Sequence, residues 1–337
     1  MPTRKELCSE LKILCLIPMI TACGIINGTF TRSIEPSSVP LLQKGKNVIW
    51  MDLADPSKQE LSFLESKLGL HHLALEDALN QRQRAKVERY DEYHFIVVHS
   101  ITETEKLEAT QLNLFISKHA LISIHIKPLQ FVSDVKRRLG ENPHLLRRGP
   151  DYGAYMLLDA SADNLFPLMD KLEETIDKIE EEVFKERGSS PKGLLNSLFR
   201  VKKGLLHLRK ITWPQMEVLN VLSSGELKYI SKENLVYFRD VYDHMIRINT
   251  IIETQRELVS GSMEGHLMSV SNNLNKIMKK LTAITAIVLV PGLIAGIYGM
   301  NFKAPELNWE FGFYASLASM LLSTILLAVY FKQKDWI

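Results

Sequence analysis

Residues 281–301, LTAITAIVLVPGLIAGIYGMN, contain no formally charged side chain, and no other stretch limits the fold as much. A bilayer core of roughly 30 Å is crossed by about 20 apolar helical residues, so this run is long enough to span a membrane. Residues 311–331, FGFYASLASMLLSTILLAVYF, meet the same requirement. Backbone in lipid must satisfy its own hydrogen bonds, which favours helix for both runs. With only residues 301–310 between them, they predict a hairpin whose two ends return to one side.

Basic flanks set the side, because short Lys-rich flanks stay cytoplasmic. Lys276, Lys279 and Lys280 precede the first run, and Lys332 and Lys334 follow the second. The loop between holds Lys303 against Glu306 and Glu310. Both termini are therefore expected in the cytoplasm, with the Gly299-Met300-Asn301 end facing outward. At 337 residues, 46% hydrophobic and 24% charged, the chain has material for one or two soluble domains ahead of residue 230. A net charge of +2 singles out no partner, and no nucleic-acid patch is visible. Three cysteines, Cys8, Cys15 and Cys23, lack metal-ligand spacing and suit a reducing cytosol.

The N-terminal stretch ILCLIPMITACGII could pass for a signal sequence, but export would contradict the lysine pattern. A buried strand over Met19–Ile26 ending at the Asn27-Gly28 turn fits better. Val48–Leu53 reads as a second strand. Asp55-Pro56-Ser57 opens a helix that Gly69 stops, and residues 71–80 form a short helix. Further strands are predicted at 93–101, 111–117 and 120–126. The apolar period then lengthens to about 3.5. Leu165, Leu168, Leu172, Ile176, Ile179 and Val183 make a helical stripe with acids on the other faces and a possible kink at Pro167. A second helix covers about 192–224. A last one runs from about Lys232 to Tyr298, roughly 100 Å at 1.5 Å per residue, and would need partners along its length.

The expected class is α+β. A terminal extension (1–17) precedes a cytoplasmic α/β domain (18–143) and an antiparallel helical hairpin (144–230). A stalk helix then runs into the first membrane helix (231–300), followed by an outer loop (301–310), a second membrane helix (311–331) and a cytoplasmic tail (332–337).

Small and polar residues recur along the first span at Asn275, Met278, Thr282, Thr285, Leu289, Gly292, Gly296 and Gly299. The seven-residue repeat is that of a helix beside its own copies. Small faces also bring membrane helices together without any channel. One hairpin cannot enclose a pore, so conduction would need several subunits around an axis. Around such an axis Asn301 would form a ring of amides, with Gly299 and Met300 completing the outer mouth. Mg2+ sheds its water reluctantly, so neutral oxygens that grip the hydration shell suit it, whereas carboxylates would hold it too long.

Tyr298-Gly299-Met300-Asn301-Phe302 followed by Pro305-Glu306-Leu307 resembles the signature and loop of the CorA-type magnesium channels. The likeness extends to Tyr237–His244, to Leu75-Glu76-Asp77 with Gln83, Arg84 and Lys86, and to Lys210–Pro214, and covers roughly residues 18–337. It implies a homopentameric funnel in the plasma (bacterial inner) membrane that passes Mg2+, and often Co2+ or Ni2+, down its gradient without ATP. It also implies Asn301 as the selectivity residue, and Asn275, Met278, Leu281 and Leu289 as pore-lining or gating positions. Glu76 and Asp77 of one subunit would face Asp240 of the next and hold regulatory Mg2+. Mutual repulsion of these acids, relieved by the ion, would make cellular Mg2+ close the pore. Lys303 stands where many relatives have an acid, leaving Glu306 and Glu310 to recruit cations, and the tail is thinner in basic charge than the family's usual cluster.

No His-Glu-x-x-His, phosphate-cradling glycine loop or Gly-x-Ser-x-Gly is present, which argues against an enzyme. The remaining alternatives are a non-conducting membrane scaffold and the zinc-transporting branch of the same family.

Overall fold

A run that is apolar without alternation is a strand covered on both faces. Val48–Ala54 (β3) is such a strand, buried over nearly its whole length. It lies inside a seven-stranded sheet of order β2-β1-β3-β7-β6-β5-β4. The other strands are Ile20–Ile26 (β1), Thr29–Thr31 (β2), Lys86–Arg89 (β4), Tyr93–Glu103 (β5), Leu107–Ser117 (β6) and Ala120–His125 (β7). β3 pairs parallel with β7, and the remaining pairs are antiparallel. The structure, a computed structural model, describes residues 20–42, 46–103, 107–184, 193–300 and 310–337. It divides into two units, residues 1–178 with 199–259 and residues 179–198 with 260–337.

In the first unit the short helix Val39–Leu42 (α1) precedes β3, and Lys58–Leu68 (α2) and His72–Leu79 (α3) follow it. A capping box of Ser57 and Glu60 starts α2, and Gly69 at φ 68° ends it, as the sequence predicts. Leu64, Ala74, Leu75 and Ala78 pack with Ile49, Met51, Leu53, Phe95 and Phe115 in one core. Alternate β3 residues point the other way, toward Gln130–Glu141 (α4). There Asp52, only 3% exposed, accepts from Lys136 Nζ (2.6 Å) and from the Ser123 hydroxyl. Ser123 accepts from Trp50 Nε1 (2.9 Å), and His125 Nε2 lies 3.4 Å from Asp52. Burial alone would raise the Asp52 pKa. The nearby His125 imidazole and the Lys136 charge outweigh it and hold the carboxyl below its usual 3.8.

Pro150–Asp163 (α5) also packs on the sheet, and most of its residues are buried. The sequence reading places these residues in a hairpin and does not separate the helix, because apolar and small residues surround it and no stripe shows. The polar edge strand β4 is missed for the same lack of pattern. Phe166–Phe184 (α6) follows, with Leu165, Leu168, Ile176, Ile179 and Val183 buried and most of its acids exposed. No kink at Pro167 is called for, since the helix begins at Phe166 and its first turn tolerates proline.

Leu194–Ser223 (α7) and Leu235–Tyr298 (α8, 64 residues) are each continuous. Within the first unit Thr212 donates to Asn249 Oδ1 (2.8 Å), and Arg209 meets Glu253 at 2.5 Å. The start of α8 is tied to α5 by Asp151. That carboxylate, 3% exposed, accepts from the Ser231 amide (2.8 Å), the Ser231 hydroxyl (2.7 Å) and Asn234 Nδ2 (2.9 Å). In the second unit, Gly312–Gln333 (α9) is the other long apolar helix.

Because the Asp52 pKa is lowered, its stabilising contribution is present above about 3.8 and is lost as pH falls through the lower folded value. Lys136→Met removes one cause of the lowering and leaves a buried carboxylate short of its cation. Circular dichroism should show the acid-unfolding midpoint moving to higher pH, with a loss of about 3 kcal/mol at neutral pH.

Candidate ion-pathway and metal-binding sites

The most apolar windows of α8 and α9 are 6% and 11% buried. A core helix of a soluble protein would be mostly buried, and a signal sequence would lie near the N-terminus, so neither explains them. Within the membrane-length part of α8, residues 281–298, those withdrawn from solvent are Ala283, Ala286, Ile287, Pro291 and Ile294. On α9 the withdrawn residues include Gly312, Ser316, Met320, Thr324 and Ala328, a mostly small stripe at steps of four that suits close helix approach.

Asn275, Met278, Thr282, Thr285, Leu289, Gly292, Gly296 and Gly299 are all exposed, as are Leu281 and Met300. At about 100° per residue this stripe lies roughly opposite the withdrawn face of the same helix. Thr282 and Thr285 donate to the carbonyls of Met278 (2.8 Å) and Leu281 (2.7 Å). Their lone pairs are left to accept from a hydrated cation. A Cβ added at Gly292 or Gly296 meets nothing within 4 Å, so no described neighbour in one chain requires glycine there. Glu310 is exposed ahead of α9, and Asn301 and Glu306 lie outside the described residues.

The first unit gathers Asp240 and His244 of α8 with Asp159 of α5, one ligand atom from each within 4.8 Å of the others. Asp240 and His244 are four apart and share a helix face. His244 Nδ1 lies 4.0 Å from Asp159 and 3.8 Å from Asp163, and has no hydrogen-bond partner. Phe166 meets the imidazole edge to face at 5.8 Å. Burial, then the neighbouring charge of Asp163, raises the Asp159 pKa above its usual value. Two carboxylates and an imidazole suit a divalent cation, which would cancel that repulsion. The sequence reading names Asp240 but misses Asp159 and His244. The Asp-x-x-x-His spacing could have revealed His244, whereas only folding brings Asp159 to it.

Asp77 belongs to a different cluster. It accepts from Lys86 Nζ (2.6 Å) and Gln83 Nε2 (2.6 Å), and Lys86 also meets Glu88 at 2.5 Å. Glu76 beside it is exposed. An ion at Asp77 would have to displace or share the lysine.

Two uncovered apolar helices of membrane-spanning length, one bearing a polar stripe, are the pattern of an integral membrane protein, and the carboxylate–imidazole cluster has the donor set that could hold a cation. Residues 45–333 match the family described as CorA-like Mg2+ transporter protein. The cobalt/magnesium transport protein CorA of Thermotoga maritima is 40% identical over 274 residues, covering 80% of this chain and 77% of that protein. The protein of the same name from Methanocaldococcus jannaschii is 25% identical over 90% of this chain and 96% of its own length. The complete structure of the CorA magnesium transporter from M. jannaschii superposes with a TM-score of 0.80 at 22% identity, covering 96% of this chain and all of that one. The chain therefore belongs to the CorA-like Mg2+ transporter family, a family of divalent-cation transporters rather than catalysts.

Without an ion, the raised Asp159 pKa makes this carboxyl cost stability as pH rises through its titration, and a bound cation reverses that sign. Mg2+ at about one hundred times its Kd should stabilise the protein by ~2.7 kcal/mol, read as a thermal shift. Asp159→Asn should remove most of the shift. In the parent protein the shift should fade on acidification at a higher pH than an ordinary aspartate would give.

Proposed function

We propose that five copies of this chain surround an axis in the plasma membrane and pass hydrated Mg2+ into the cytoplasm. The exposed stripe on α8, polar and small and opposite the withdrawn face, is the observation that carries this reading. Set around an axis, it would line a pore with hydroxyls, an amide at Asn275 and close-packing glycines. At the outer end Asn301, with the backbone of Gly299 and Met300, would hold the ion through its water shell. Glu306 and Glu310 would raise the local cation concentration at the mouth. Passage of Co2+ is consistent with the cobalt/magnesium name of the T. maritima relative, and Ni2+ is expected to share the route. Both chain ends would be cytoplasmic, as the flanking lysines require.

Closure would come from the ion itself. Mg2+ held by Asp240, Asp159 and His244, with Glu76 and Asp77 of a neighbouring subunit across the interface, would tie the ring shut. Depletion would restore the repulsion and loosen it.

Mg2+ uptake into proteoliposomes down a gradient tests the reading. The parent protein should conduct, and Asn301→Ala should cut the initial rate by about tenfold or more, a loss of ~1.4 kcal/mol or more at the filter. An inert hexa-ammine complex that mimics hydrated Mg2+ should block the parent. A protein that gives no uptake at all is a scaffold, and unchanged uptake in Asn301→Ala removes the amide ring from the mechanism.

A further inference from the structure

Residues 81–85, strand β5 and the middle of α7 line a pocket of about 800 Å3 in the first unit, which has no part in the transport proposed above. That size suits a small organic ligand. Its charged wall has one sign, with Arg82, Arg84, Arg209 and Lys210 lining it and no carboxylate among the lining residues. Arg84 reaches Glu217 outside the pocket at 3.4 Å with both side chains mostly exposed, a weak pair that an anion could outbid. Trp213 lines the same pocket, 40% exposed, with the Arg209 guanidinium 5.6 Å from its ring. An exposed indole beside cations is a platform for a flat ring.

His99 adds a second polar element. It lines the pocket at only 8% exposure, and its Nδ1 has no hydrogen-bond partner. Burial lowers its imidazole pKa.

We propose that this pocket binds a nucleoside triphosphate, with its phosphates on Arg82, Arg84 and Lys210 and its base on Trp213. Simple anions lack the ring that Trp213 accepts, and apolar ligands leave the cations unanswered. Gln83 lines this pocket and also donates to Asp77, so the occupant would bear on the turn that holds that carboxylate.

The test is calorimetric titration of ATP into the full-length protein in detergent and Mg2+-free buffer. Saturable binding at one site per chain is expected. Arg84→Glu with Lys210→Glu should weaken it by about tenfold or more. Trp213→Ala should weaken ATP while leaving inorganic tripolyphosphate unchanged, and Arg137→Glu on α4, away from the pocket, should alter neither. Should the double variant elute as aggregate, Lys210→Gln alone should still weaken ATP measurably. Absence of saturable binding overturns the proposal. So does tripolyphosphate binding as tightly as ATP with no effect of Trp213→Ala, which would reduce the pocket to an anion patch.

Discussion

An apolar helix surface that its own chain leaves uncovered is the constraint from which the rest follows. The membrane-length parts of α8 and α9 keep every interior backbone bond within the helix, so lipid can cover them at no hydrogen-bonding cost. Water cannot do so cheaply, because the hydrophobic penalty scales with exposed apolar area. One face of α8 is withdrawn along Ala283, Ile287 and Ile294. The opposite face carries threonines, glycines and an asparagine, residues that gain little from lipid and much from water or from a close neighbour. This asymmetry makes the isolated chain an incomplete object.

The soluble unit solves a different problem, which is how to hold charge inside a fold. Asp151 and Asp52 are both buried, and both are paid for locally, the first by three donors at the start of α8 and the second by Lys136, Ser123 and His125. Asp159, Asp240 and His244 are not answered in the same way. Burial, with another acid, Asp163, alongside, raises the Asp159 carboxyl pKa rather than lowering it. A cluster left electrostatically unfinished is one that a cation can complete, whereas Asp77 is already answered by Lys86 and Gln83. The contrast lies in the neighbours, since these aspartates are ordinary acids in the sequence.

Features with long, regular patterns were legible in advance. The two uncharged runs announced themselves by length, and the apolar stripe of α6 by its period, because twenty apolar residues or five successive steps of three or four seldom arise otherwise. Features with short or mixed patterns were not. β4 is four residues, three of them charged, whose strand character comes from pairing with β5, and α5 is apolar on most sides, which erases the stripe that would mark a helix. The Tyr298–Phe302 signature led to the family, and the family to Asp240, but only folding brings Asp159 beside it.

By itself the sequence determined that this chain carries two apolar runs of membrane-spanning length, which side its lysines favour, and that a seven-residue repeat runs along the first of them. Those properties depend on composition and on neighbours a few residues away, which any reading of the chain preserves. Tertiary structure alone decided which acids share a site, which are neutralised, and which face of α8 is turned away from solvent. Asp159 and Asp240 are 81 positions apart, and electrostatic interaction falls with distance in space, a distance that sequence separation does not encode.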